Sequence, residues 1–186
     1  MNSFVGLFHN AVLLLALSVV YDTVANYSHL NTRLREVITG ILVGVVAMAV
    51  MLTPWEMTPG VFFDSRWILM CISGLYFGVT PTLIAVCMAV TLRLYQGGDG
   101  IYVGSIVIIC SASIGLLWRR WHLLREKEIS VLSLYLMGIA VQLCVLFLML
   151  FMPASMRFII MGKLALPLLT IFPVVTVLME IGRAHV

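Results

Sequence analysis

A chain whose apolar runs repeatedly approach 20 residues has few ways to fold. Such runs cover about 5–21, 37–53, 67–93, 101–118, 131–151 and 158–179 of these 186 residues. Most are as long as a helix must be to cross a hydrocarbon core about 30 Å thick, which takes about 20 residues. With 62% of its residues apolar and only 10% charged, the chain reads as an all-α polytopic membrane protein, a bundle of about six spans. The spans consume most of the length and leave no room for a soluble catalytic domain, which needs about 50 residues or more. The first run has no basic segment before it and no small-residue cleavage motif, so it is expected to be a retained span rather than a signal peptide.

The third run differs from the others. Gly74, Gly78, Thr80, Pro81 and Thr82 interrupt its centre. Proline removes a backbone donor and restricts the residue before it, so one straight helix is not expected there. Loop charge decides how the run is threaded. Arg33 and Arg35 form one basic loop and Arg119, Arg120, Arg125 and Lys127 form another, whereas 54–65 carries Glu56 and Asp64 and no cation. Basic loops stay in the cytoplasm. A single crossing by 67–93 would put the second basic loop outside; folding back near Pro81 puts both inside. The expectation is therefore a broken, Gly/Pro-interrupted helical hairpin at 67–93 with arms of about 14 and 12 residues. The N-terminus then lies outside and Glu180 in the cytoplasm. Arms of roughly 18–21 Å must be shielded by neighbours or line a polar cavity, and interrupted segments of this kind are where membrane proteins place binding sites.

The fold-back returns Arg66 and Arg93 to the same outer edge, beside Asp64 and the turn Gly97-Gly98-Asp99-Gly100. Charges at a membrane are costly, and a guanidinium presents a planar fork that matches a carboxylate or phosphate. Asp64, Arg66, Arg93, Gly97, Gly98, Gly100 and Gly104 are accordingly the candidate ligand-binding residues, the glycines permitting close backbone approach. Gly100 and Gly104 also form a small-xxx-small pair that could seat a neighbouring helix. Arg157 and Lys163, near the start of the last span, are read first as snorkelling to the interface and second as additions to the clamp.

Other features carry less. A net charge of +3, set in short loops, orients the protein and is no nucleic-acid-binding face. Cys71, Cys87, Cys110 and Cys144 fall in apolar runs without Cys-x-x-Cys spacing and read as small buried hydrophobes, with no metal and no disulfide assigned. Gly97-Gly98-Asp99 matches the start of a nucleotide cyclase signature but continues Gly-Ile-Tyr between two spans, and is read as a turn. His9, His29 and His122 have no catalytic or metal-binding neighbourhood in sequence, so no catalytic residue and no cofactor are expected. Ser111, Ser113, Ser133 and Gln142 are expected to make hydrogen bonds between helices. The final six residues, Ile181 to Val186, match what a common short-read sequencing adapter encodes in one frame. They are expected to be an artefact following truncation at Glu180.

Five segments in order carry a resemblance: Met51-Leu52-Thr53-Pro54, Pro59 to Arg66, Ser73-Gly74-Leu75-Tyr76-Phe77-Gly78, Arg93-Leu94-Tyr95-Gln96-Gly97-Gly98, and Ile114-Gly115-Leu116-Leu117-Trp118-Arg119. From about Asn31 to Glu180 the chain resembles the 5TM receptor module of the LytS-YhcK type. The resemblance implies a bacterial inner-membrane sensory module, residues 1–180 here, whose cytoplasmic output domain, a histidine kinase or a diguanylate cyclase, is missing. It implies a small anionic ligand such as a carboxylate, a lipid environment, and a homodimer formed through the output domain. Asp99 departs from the family pattern, where a small residue is expected, and puts a carboxylate beside the clamp. The alternative is a substrate-binding membrane subunit of a small-molecule transporter, from a looser architectural likeness to vitamin-transporter subunits. A third reading is a helper protein with no ligand, its arginines serving only topology.

Overall fold

The computed structural model describes residues 31–52, 55–58, 61–63, 66–98, 100–125 and 130–151. They form five helices, α1 (Thr32–Leu52), α2 (Arg66–Tyr76), α3 (Val79–Gln96), α4 (Ile101–Arg125) and α5 (Val131–Met149), and two short strands, β1 (Trp55–Thr58) and β2 (Val61–Phe63). All but α2 contain a segment long and apolar enough to span a bilayer. The all-α polytopic expectation holds for the described residues. The strands are an addition to it: they pair antiparallel across the two residues Pro59 and Gly60, with Trp55 opposite Phe63 and Glu56 opposite Phe62, in a segment read from sequence as a plain loop. The expected spans at 5–21 and 158–179 lie outside the described residues.

The fold-back of 67–93 is present, but its arms are unequal, 11 residues in α2 and 18 in α3. The break falls at Phe77-Gly78 rather than at Pro81. Gly78 adopts φ 85° and ψ −166°, a conformation open to glycine alone. Pro81 sits in the first turn of α3, where its missing N–H costs nothing, so it begins the second arm instead of breaking it. The first arm, about 16 Å long, is too short to cross the membrane, and neighbours shield it: every residue from Trp67 to Leu75 is buried.

Glycine contacts set the packing. A Cβ on Gly40 would lie 2.9 Å from both the Ile84 Cβ and the Pro81 carbonyl oxygen, and one on Gly44 would strike Met88, so α1 runs parallel to α3 in close contact. Gln96 Nε2 closes the far end of that pair by donating to the Met51 carbonyl at 3.2 Å. A Cβ on Gly74 would lie 2.7 Å from the Ala112 carbonyl oxygen, and one on Gly115 would fall on the Cys71 carbonyl, so α2 lies backbone to backbone against α4. The buried core, including Leu69, Met70, Leu75, Ile108, Leu134 and Met137, gathers around α2.

Helix α5 returns antiparallel to α4. Ser130 caps it by accepting from the Ser133 amide, and Ser133 Oγ accepts from Trp118 Nε1 at 2.9 Å and pairs with His122 Nε2 at 2.6 Å. Ser133 thus makes the expected bonds between helices. Ser111 and Ser113 instead return their hydroxyls to carbonyls of their own helix, because a serine in a helix reaches the residue four before it more readily than a neighbouring helix. Of the cysteines, Cys71 is buried, Cys110 and Cys144 are half-buried and Cys87 is exposed on the outer side of α3, so the reading as buried hydrophobes holds for Cys71 alone.

These contacts bring the Arg33 and Arg35 end of α1 to the same face as the Arg119 and Arg120 end of α4, as the loop charges require. Exposed Tyr95 and Tyr102 mark the opposite face and exposed Trp121 the basic one. Tyr102 and Trp121 are about 28 Å apart along α4, close to the thickness of a hydrocarbon core flanked by aromatic belts.

Candidate functional site

Arg66 opens α2, at the chain end of the short arm, and Arg93 lies in the last turn of α3, at the end of the long arm. After α3 the chain reverses through Gly97 (φ 75°) and Gly98 (φ 89°), left-handed conformations that disfavour any residue with a Cβ. Gly98 accepts a hydrogen bond from the Ile101 amide at 3.2 Å, and Gly100 accepts one from the Gly104 amide at 2.8 Å, which winds the first turn of α4. The reversal therefore sets the start of α4 directly beside the two arm ends.

Gly104 is where they meet. A Cβ placed on it would lie 2.8 Å from Arg93 Nε and 3.5 Å from Arg66 Nη2. The two guanidinium atoms are thus no more than about 6 Å apart, the sum of those distances. The glycine contributes by what it lacks, since a larger residue would fill the floor on which both side chains lie. The atoms that face Gly104 belong to arginines of the two neighbouring helices. Both Nε atoms are buried, and each arginine makes a further polar interaction.

Two unit positive charges about 6 Å apart repel by roughly 3 kcal/mol at an effective dielectric constant of about 20. Arg93 is favoured by the negative end of α3, but Arg66 stands at the positive end of α2, and the positive end of α4 faces the same place. A carboxylate lying between two guanidinium forks relieves each of these terms and accepts several charge-assisted hydrogen bonds. Both guanidinium groups are hydrogen-bond donors only.

Of the residues expected from sequence, the structure brings Arg66, Arg93 and Gly104 together, and places Gly97, Gly98 and Gly100 in the reversal that positions them. Asp64, Asp99, Arg157 and Lys163 lie outside the described residues. Arg119, a topology signal in the sequence, has a structural role as well. Arg119 Nη1 donates to the Tyr76 carbonyl at 2.6 Å and the Leu75 carbonyl at 3.2 Å, satisfying the last turn of α2 where the hairpin breaks. A helix that ends inside a membrane leaves carbonyls without partners, and that need was the signal that could have identified Arg119.

The segments Ser73 to Gly78 and Ile114 to Arg119 therefore touch each other, and Arg93 to Gly98 forms the turn above the site. The family model described as the 5TMR of 5TMR-LYT matches residues 19–184. The chain belongs to this 5TM receptor family. No curated protein and no solved structure matches it. As a 5TM receptor module it is a multi-pass membrane protein of a sensor class, and the part seen here is non-catalytic.

Proposed function

We propose that this 5TM receptor is the signal-input domain of a bacterial inner-membrane sensor, binding a small carboxylate between Arg66 and Arg93 and signalling to a cytoplasmic histidine kinase or diguanylate cyclase. The supporting observation is the convergence of the two arginines, 27 residues apart in sequence, on the bare backbone of Gly104. Asp64, Gly97, Gly98 and Gly100 complete the rim in this reading. The basic ends of α1 and α4 face the cytoplasm, so the clamp opens outward, the N-terminus lies outside and Glu180 leads inward. Receptors of this design pair through the output domain, which makes the working unit a homodimer.

Calorimetry on the full chain in lipid nanodiscs, with pyruvate as the first probe of a carboxylate panel, tests the reading. Arg66→Ala should weaken binding by 30-fold or more, since about 2 kcal/mol goes with one charge-assisted pair. Arg93→Lys should lose about 10-fold, because a point charge does not replace the fork. Unchanged affinity in Arg66→Ala would remove the clamp from consideration.

A further inference from the structure

Gln142 is 1% exposed, yet its Oε1 accepts no hydrogen bond among the described residues, so the bond to another helix expected from sequence is not made at that atom. The residue lies about 17 Å along α5 from Val131, in a helix about 28 Å long, which sets the amide deep in the hydrocarbon. No bulk water reaches an amide there, and an unpaired carbonyl in that setting is among the costliest features a membrane helix can hold. The amide borders a small cavity between α5 and the short arm. Ile68, Cys71 and Ile72 of α2 face Met137, Gly138 and Gln142 of α5 across it, and its volume is about 10 Å³.

We propose that this cavity is a binding site for a single water molecule, held by Gln142 and joining α5 to the short arm. Size selects the ligand. The cavity accommodates about one water-sized sphere, so a carboxylate of the kind assigned to the arginine clamp does not fit, and the two sites are separate. Polarity decides that it is filled. An apolar void stays dry, whereas a water settles where it finds two to four polar partners. Here Oε1 of Gln142 accepts one hydrogen from the water, the Cys71 thiol on the opposite wall is a weak donor and acceptor, and Gly138 brings bare backbone whose carbonyl keeps a second lone pair. Water both donates and accepts, so it serves the amide in either orientation. The position also suits a bridge. Helices α2 and α5 touch far more sparingly than α2 and α4, and a bound water supplies a polar join where their side chains do not interlock.

X-ray hydroxyl-radical footprinting of the full chain in lipid nanodiscs, read by mass spectrometry, tests the site. Radicals born from a bound water oxidise the nearest sulfur before they diffuse away, and radicals from bulk water do not reach a buried one. Met137 and Cys71 line the cavity and are 0% and 2% exposed. Met70, 0% exposed on the same short arm, lies outside the lining and is the internal control. Met137 and Cys71 should be oxidised and Met70 spared. Gln142→Leu replaces the amide with a side chain that needs no partner and should abolish the oxidation at Met137 and Cys71; Gln142→Met, close to glutamine in shape, is a second variant with the same expected loss. Met137 and Cys71 as unreactive as Met70 in the wild-type chain overturn the proposal, whether or not the variants fold. Oxidation at Met137 that persists undiminished in both variants overturns it as well, since the water would then not depend on Gln142.

Discussion

Gly115→Ala probes the seam on which the whole arrangement rests. The new methyl would lie far inside van der Waals contact with the Cys71 carbonyl oxygen, 2.9 Å from its carbon and 3.1 Å from the Cys71 Cα. All three atoms are backbone of α2, so no rotamer change relieves the clash, and α2 and α4 have to separate by about 1 Å. A gap of that size forfeits a quarter to a half of each dispersion contact across it. Overpacking of this kind costs about 1–3 kcal/mol, and a backbone-on-backbone contact belongs at the upper end. Against it stands about 1 kcal/mol from the better helix propensity of alanine. The net expectation is a loss of about 2 kcal/mol, read as a lower unfolding midpoint of the nanodisc-embedded chain in denaturant, followed by tryptophan fluorescence. The shift should be matched by Gly74→Ala, whose methyl meets the Ala112 carbonyl from the other side at 2.7 Å. Gly115→Ala as stable as wild type, or more stable, would refute the parallel α2–α4 contact and with it the placement of Arg66 over Gly104.

Arg119→Ala should strip the last turn of α2 of its donor and destabilise the chain by about 1.5–3 kcal/mol, with Arg119→Lys recovering part of that; denaturant midpoints check both. Gly104→Ala brings a methyl to 2.8 Å from Arg93 Nε, the movable part of a flexible side chain, so it should weaken pyruvate binding about 10-fold in calorimetry while leaving the unfolding midpoint within about 0.5 kcal/mol of wild type. Ser133→Ala removes the hydroxyl shared by Trp118 and His122 and should red-shift the tryptophan emission as that indole turns toward the interface, with a stability loss of about 1–2 kcal/mol.

Much of this was legible in sequence because membrane proteins obey coarse rules. Run length identified α1, α4 and α5, and loop charge alone required the fold-back that divides 67–93 into α2 and α3. The same reasoning paired Arg66 with Arg93, since ends of a hairpin must meet. Other points escaped it for physical reasons. Pro81 drew the break toward itself, yet proline is harmless in a first helical turn, and only the backbone torsions show that Gly78 makes the reversal. The ribbon at Trp55 to Phe63 depends on strand pairing, which a nine-residue stretch between helices does not announce. Ser111 and Ser113 look the same as Ser133 in sequence; which of them faces a partner is a matter of helix rotation.

Run length and loop charge thus determined that the chain lives in a bilayer, that 67–93 folds back and which cations share a face, because hydrocarbon tolerates neither open backbone nor stray charge. Tertiary structure alone decided that Gly104 is the floor under both arginines, that Gly74 and Gly115 lock the short arm to α4, and that Arg119 caps it. Each of these depends on which side of a helix a residue occupies and how closely two backbones approach, and apolar runs that are uniform around the helix do not encode that side.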